Sequence, residues 1–488
     1  MTRKDVTLLV LATIGAVLVH GYHPAVEDGE LYLPGIKKAL NPALYPFNDE
    51  FFMSHARLTF FDELVAASVR VTHLPFDYVI FFWHLVCIFA LLLGCWRVSR
   101  ACFKEPLAQW GSIALVAALL TIPVAGTALY IMDQYLTPRD LSTAGIMLAL
   151  ADALEHRILR AGIWIVLIAT IHPLMSVFGI GLLILLYIEE RRLAALGSAR
   201  REAGGITIFL LPVLLSLQPV SSVYRGVLDT SHAYFLVVRW EWYEWVGIFA
   251  PLAMLWAIAR YGQARGRREI VALCRALVIF GLITFAAALL VSIPRLAGLA
   301  FLQPMRSLHL IFILLFELLG GILAESVLKS HAWRWVALLT PICLGMFLVQ
   351  RQLFPATEHL ELPGRSGSNS WVQAFNWIRE NTPNDAIFAL DPNYMNIDGE
   401  DEHGFRDLAE RSALANFHDR GAVSMFPALA RDWYEQDRAQ RGWRTFQAPD
   451  FQRLRQDYGV TWVVLQRPGA PSLVCPFRND VVMVCQIP

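Results

Sequence analysis

Charge is what this chain has little of. Only 17% of its 488 residues are Asp, Glu, Lys or Arg, where soluble domains carry about 25%. The 41 basic residues are matched by 41 acidic ones, so no bulk positive field favours nucleic acid as a partner. Cysteine is sparse, seven residues in all, and no spacing resembles a zinc site or a redox CxxC motif. Cys87, Cys95, Cys102, Cys274 and Cys343 lie in or beside apolar runs, where cysteine behaves as a small buried hydrophobe. There is no internal repeat and no Asp-x-Asp pair in the first two polar loops.

What the chain does have is apolar length, with 56% hydrophobic residues. A spanning helix needs about 20 mostly apolar residues. Clear candidates are 6–22, 77–95, 110–130, 206–222, 244–260, 272–293, 307–325 and 333–350. A shorter apolar stretch, 141–154, carries Asp152, and the run 161–188 is interrupted by His172-Pro173. Proline removes a backbone donor and favours a break, so this run reads as two short helices, with one tilted span as the rival. Basic clusters recur after every second span: Arg3-Lys4, Arg97/Arg100/Lys104, Arg157/Arg160, Arg191-Arg192 with Arg200-Arg201, Arg260/Arg265/Arg267-Arg268 and Lys329/Arg334. Cytoplasmic loops are enriched in Lys and Arg. The expected fold is therefore an all-α polytopic membrane domain over 1–350 with about eleven spans, N-terminus inside. The first span reads as an uncleaved anchor, because no convincing small-residue cleavage site follows it.

That orientation places the chemistry-bearing residues in outer loops. The first, 23–76, is long and holds Glu27, Asp28 and Glu30 just past the first span, with Tyr32, Lys37, His55 and Arg57 beyond. Residues 60–72 can form an interfacial helix with Phe61, Leu64, Val65 and Val69 on one side. The second, 130–141, holds Asp133, Arg139 and Asp140. The third, 221–243, is rich in aromatics, and the fourth, 294–307, carries Arg295 and Arg306. Crowded carboxylates at a low-dielectric boundary repel one another, which raises the pKa of one and suits it to act as a general base. Two acidic loops could also share a divalent cation, magnesium or manganese, with Asp28 and Asp133 as ligands. Arginine at headgroup level can hold a lipid phosphate through its planar fork of donors, or simply anchor to membrane phospholipid. His172 near an outer helix end is either structural or a substrate contact.

After Arg351 the chain turns polar. Residues 351–370 read as a linker and 371–488 as a small α/β domain on the outer side. Ser370 is placed to cap a helix through 381, and further helices are expected at 406–415, 426–440 and 449–457. Strands are expected at 386–390, 460–465, 472–475 and 481–487, with a polar loop at 393–404; the acidic loop Asp391–Asp401 reads as solvated, with a bound cation as the alternative, and its spacing does not match an EF-hand. Cys475 and Cys485 flank a predicted hairpin, within disulfide reach in an oxidising compartment.

This layout resembles the GT-C superfamily of polytopic membrane glycosyltransferases, which use sugars linked to polyprenyl phosphate or pyrophosphate. The segments VEDGELYLPGIKKALNPALYP and FNWIRENTPNDAIFALDP look like bacterial membrane proteins of this general type. The resemblance implies that Asp28 and Glu27 match the acidic catalytic position after the first span. Asp133 or Asp140 would match the second acidic position, and Arg306 a basic residue for the carrier phosphate. Glu30, Tyr32, Lys37, His55, Arg57, Arg139 and His172 become substrate-binding candidates. The implied setting is the bacterial inner membrane, with a periplasmic C-terminal domain and a glycan, lipid or protein acceptor. Alternatives are a transporter or flippase of a lipid-linked saccharide, or a non-catalytic subunit of a polysaccharide assembly system.

Overall fold

The computed structural model describes residues 1–195, 220–231, 233–365, 367–470 and 473–488. Most of the expected span 206–222, the cluster Arg200-Arg201 and the start of the expected strand 472–475 lie outside the described residues. The chain divides into two compact units. One holds residues 1–20, 85–133 and 138–346; the other holds 21–84, 134–137 and 347–488.

The first unit is helical and apolar. Among the described residues, six helical segments of the chain are long and apolar enough to cross a membrane. They are Phe76–Cys102, Pro173–Ala195, Trp242–Ala264, Arg268–Val291, Pro294–Leu328 and Ala332–Leu353. The chain thus has the character of a multi-pass membrane protein. Helix Arg3–His20 opens with Arg3, Lys4 and Asp5, which dilute its apolar length. The 161–188 run is broken as its proline predicts, into Ile158–Ile171 and Pro173–Ala195, with His172 extended between them. The residue before a proline is pushed out of the helical region.

The helix of the expected span 110–130 has other bounds. It runs only over Pro106–Ala118. Beyond it Pro123 lacks a donor, Ala125 and Ala128 take positive φ, and the chain doubles back in a Pro123–Tyr130 bridge. Helix Pro106–Ala118 packs on helix Leu308–Leu323 through glycines: a Cβ on Gly111 would sit 2.8 Å from the Gly320 carbonyl oxygen. Small residues let membrane helices approach this closely. Several buried acids here meet an arginine, and Arg97 takes both Asp152 and Glu155, while Glu317 is buried without a cation among the described residues. Arg97 meets Asp152 at 2.7 Å, and Arg139 pairs with Asp133 while both are buried.

The second unit is an α/β body. Its sheet has the order β2-β1-β3-β5-β4, with β1 Ile387–Ala389, β2 Ser412–Ala413, β3 Trp462–Gln466, β4 Val474–Arg478 and β5 Val482–Gln486. The β1–β2 and β1–β3 pairs are parallel; β3–β5 and β4–β5 are antiparallel. Alternation along β3 splits two cores. Val464 joins Phe375, Ile378 and Phe405 on one face; Val463 and Leu465 join Phe451 and Leu454 on the other. Cys475 and Cys485 form a disulfide across β4 and β5.

Local differences from the sequence reading have local causes. Helix Ser370–Asn381 is capped by Asn369, not Ser370: the Asn369 side chain accepts from the Trp371 and Val372 amides. The segment expected as helix 406–415 is a short helix, Phe405–Ala409, ended by Glu410 at φ 53°, and then strand β2. The expected helix 426–440 opens with a 3-10 turn at Pro427–Leu429 and continues as helix Ala430–Ala439, and a helix that was not expected, Asp419–Met425, ends just before Pro427. The sequence separates loop 23–76 from the C-terminal domain at the 351–370 linker. In the structure, loop helices Gly29–Leu40, Glu50–Ala56 and Phe61–Thr72 belong to the same unit as that domain.

Candidate functional site

Loop 21–84 is tied to the C-terminal domain by buried polar groups. Glu30, fully buried, accepts from the Arg406 backbone amide at 2.9 Å and from the Arg406 guanidinium at 3.3 Å. Arg406 also grips Asp419 with two bonds of 2.8 Å. Burial pushes Glu30 up, to about 8, against the pull of Arg406. Lys37 donates to the Asp407 carbonyl at 2.6 Å and pairs with Asp407 and Glu410, each at 3.1 Å. Burial alone would lower its pKa, but these two carboxylates raise it. Glu30 and Lys37 thus hold loop and domain together from inside. The stretch Tyr45–Asn48 adds a strap, with the Tyr45 hydroxyl donating to the Arg406 carbonyl and the Asn48 amide to Ala413 on edge strand β2.

This tie brings Glu27 and Asp28 against the loop 401–404. Val26 and His403 form an antiparallel bridge, and Gly404 N donates to Ala25 O at 2.7 Å. Glu27 N donates to Glu402 O at 3.2 Å. Glu27 and Glu402 both sit at φ 48°, a region that non-glycine residues rarely adopt and that clusters at functional sites. The Glu27 carboxylate accepts from the Tyr135 hydroxyl at 3.1 Å. Asp28 starts helix Gly29–Leu40 without a side-chain capping bond.

Glu402 is the residue the sequence reading missed. Its carboxylate lies 3.9 Å from His418 Nε2, with its side chain still 41% exposed. Partial burial first, and the neighbouring Asp401 second, lift it to about 7. His418 is held below the usual imidazole range by burial, with Asp28 and Asp419 pulling the other way. A carboxylate titrating near neutrality beside a neutral imidazole is suited to general-base work. The only sequence signal was the acidic run Asp398–Asp401, which reads as a solvated loop.

The remaining candidates are dispersed. Tyr32 meets His55 edge-on at 6.2 Å, and His55 meets Phe426 at 5.1 Å, in the same unit. Arg57 is exposed. Asp133 and Arg139 pair with one another in the helical unit. His172 Nδ1 accepts from the Met175 amide at 3.4 Å at the start of its helix. Arg306 lies over the Phe235 ring at 5.6 Å, beside a cavity of about 10 Å³, room for one water. Asp28 and Asp133, the metal candidates, belong to different units. Among the described residues no group of three or more His, Cys, Asp or Glu side chains is arranged to hold a metal ion.

Residues 369–438 match a family described as a domain of unknown function (DUF6798). No curated protein matches the chain. The matched stretch contains Glu402, His403, Arg406, Asp407, His418 and Asp419. It therefore supplies the C-terminal half of the tie and of the Glu27–Glu402 turn.

Proposed function

We propose that the chain is a glycosyltransferase of the outer face of the bacterial inner membrane, taking sugar from a polyprenyl-phosphate-type lipid to a glycan, lipid or protein acceptor. The reading includes about eleven spans, a cytoplasmic N-terminus and a periplasmic C-terminal domain. The observation that carries it is Glu402, lifted to about 7 and seated beside the acidic turn that follows the first apolar helix.

In this reading the acceptor hydroxyl gives its proton to the Glu402 carboxylate as its oxygen bonds to the anomeric carbon. The bond from that carbon to the carrier phosphate breaks, and the phosphate leaves with the electron pair. His418, neutral at pH 7 and 3.9 Å from Glu402, adds no positive charge that would hold that carboxylate low. Asp28 and Glu27 keep the local field negative, which favours the positive charge that develops on the sugar ring. Arg306 remains the residue that the GT-C resemblance assigns to the carrier phosphate.

The test is transfer itself. The purified protein in lipid nanodiscs is given radiolabelled polyprenyl-phosphate sugars, and sugar transfer or release is measured. Transfer by the wild type that Glu402→Gln lowers at least about a hundredfold, with folding intact, supports the reading. No turnover of any such sugar, or full turnover by Glu402→Gln and Asp28→Asn together, rejects it.

A further inference from the structure

We infer that the C-terminal domain carries a binding site for a neutral saccharide, in a cleft between residues 391–393 and residues 437–445, the end of helix Ala430–Ala439 and the turn after it. The cleft has a volume of about 400 Å³, within the range of small-molecule sites. Its polar walls repeat one unit, a mostly buried carboxylate with an arginine beside it. Asp437, 15% exposed, accepts from Arg441 at 3.2 Å. Asp391, 11% exposed, lies 3.8 Å from Arg444. Both arginines are largely exposed, at 60% and 74%, so much of each donor fork is open to a ligand.

This pattern fits adjacent sugar hydroxyls. Each hydroxyl donates one hydrogen bond and accepts two, so a ring diol needs acceptor and donor side by side. A carboxylate next to a guanidinium supplies both. The two carboxylates and two guanidinium groups also cancel, which disfavours a phosphate or another strongly charged ligand. Rigid backing is present: Trp443 lines the cleft and packs in the core on Phe446 at 5.3 Å and Phe451 at 5.6 Å. Gly442 at φ 80° turns the chain between Arg441 and Arg444.

Reading the ligand as the acceptor of transfer rests on the proposed function; binding itself does not. The test uses the full chain in lipid nanodiscs. Glucose, galactose, mannose, rhamnose and N-acetylglucosamine, free and as disaccharides, are titrated by calorimetry and ligand-observed NMR, with inorganic phosphate as the charged comparator. The expected result is that at least one neutral sugar binds, that Asp391→Asn with Asp437→Asn weakens it at least about tenfold, and that Arg441→Ala and Arg444→Ala weaken it too. The arginine variants change exposed side chains, so they remain informative if the aspartate pair fails to fold. The inference is overturned if none of these sugars binds, if phosphate alone binds, or if the cleft variants bind unchanged. Binding lost in the cleft variants of a protein that transfers nothing would sink the transferase reading and leave this one standing. Transfer by a protein whose cleft variants bind unchanged would do the reverse.

Discussion

The two units of this chain treat buried charge differently. In the helical unit buried acids meet arginines, as Asp152 meets Arg97 and Asp133 meets Arg139, although Arg97 also takes Glu155 and Glu317 is buried without a cation among the described residues. Such pairs satisfy the desolvated groups and leave little chemistry to perform. In the other unit, charges form networks in which acids outnumber cations: Glu30 and Asp419 share Arg406, and Asp407 and Glu410 share Lys37. Burial lifts Glu30 to about 8 against the pull of Arg406, lifts Glu402, with Asp401 beside it, to about 7, and lifts Asp62 to about 7 as well. Only Glu402 is partly solvated and meets a histidine in place of an arginine. Glu30 is therefore structural and Glu402 is available for proton transfer.

The largest effect should come from breaking the structural network. Arg406→Ala leaves Glu30 and Asp419 buried without their cation, at a cost of about 3–5 kcal/mol. Protease resistance and thermal unfolding of the full chain should register it as loss of the C-terminal body. Arg406→Lys should fail to rescue it, since an ammonium cannot reproduce the two bonds to Asp419. Next, Glu402→Gln should leave unfolding unchanged while lowering transfer at least about a hundredfold. Unfolding that moved with transfer would merge the two roles separated here. Removal of the Cys475–Cys485 bond should cost the sheet about 2–3 kcal/mol, read as a lower unfolding midpoint in reductant that a Cys475→Ala/Cys485→Ala variant reproduces without it.

The smallest effect concerns pH. Glu361 accepts from His23 at 2.7 Å and from His403 at 3.0 Å. Burial alone would raise it, but the charge of His403 and these bonds hold it at about 2. Its contribution is complete above the ordinary carboxylate range near 4.5 and fades as pH falls toward 2. His403 is raised above 6.5: burial opposes its charge, and Glu361 outweighs burial. Its contribution is complete below 6.5 and fades as pH rises through the raised value. The contribution of the Glu361–His403 contact should therefore be largest between about 4.5 and 6.5, and the difference in unfolding between Glu361→Gln and the wild type should be greatest in that window and shrink on either side.

What could be read from the sequence was local. Proline at 173 announced the helix break, the spacing of Phe61, Val65 and Val69 announced helix Phe61–Thr72, and two cysteines flanking a hairpin turn announced their pairing. Asp28 and Glu27 stood out because they follow an apolar helix. Their partners did not. Arg406 is 376 residues from Glu30, and neither an unbroken apolar pattern nor a motif links loop 393–404 to the first loop. An acidic loop looks solvated until the segment that buries it is known. The early end of the helix expected over 110–130 has a related cause: hydropathy counts apolar residues but does not register the chain turning at Pro123, Ala125 and Ala128.

The pH dependence of transfer reports directly on which group takes the acceptor's proton. kcat/KM for sugar transfer, measured from pH 5 to 9, should rise about tenfold per unit and level near 7, and this limb should vanish in Glu402→Gln, leaving a slow, flat rate. The same limb at the same midpoint in Glu402→Gln would mean that another group takes the proton and that Glu402 is only a bystander.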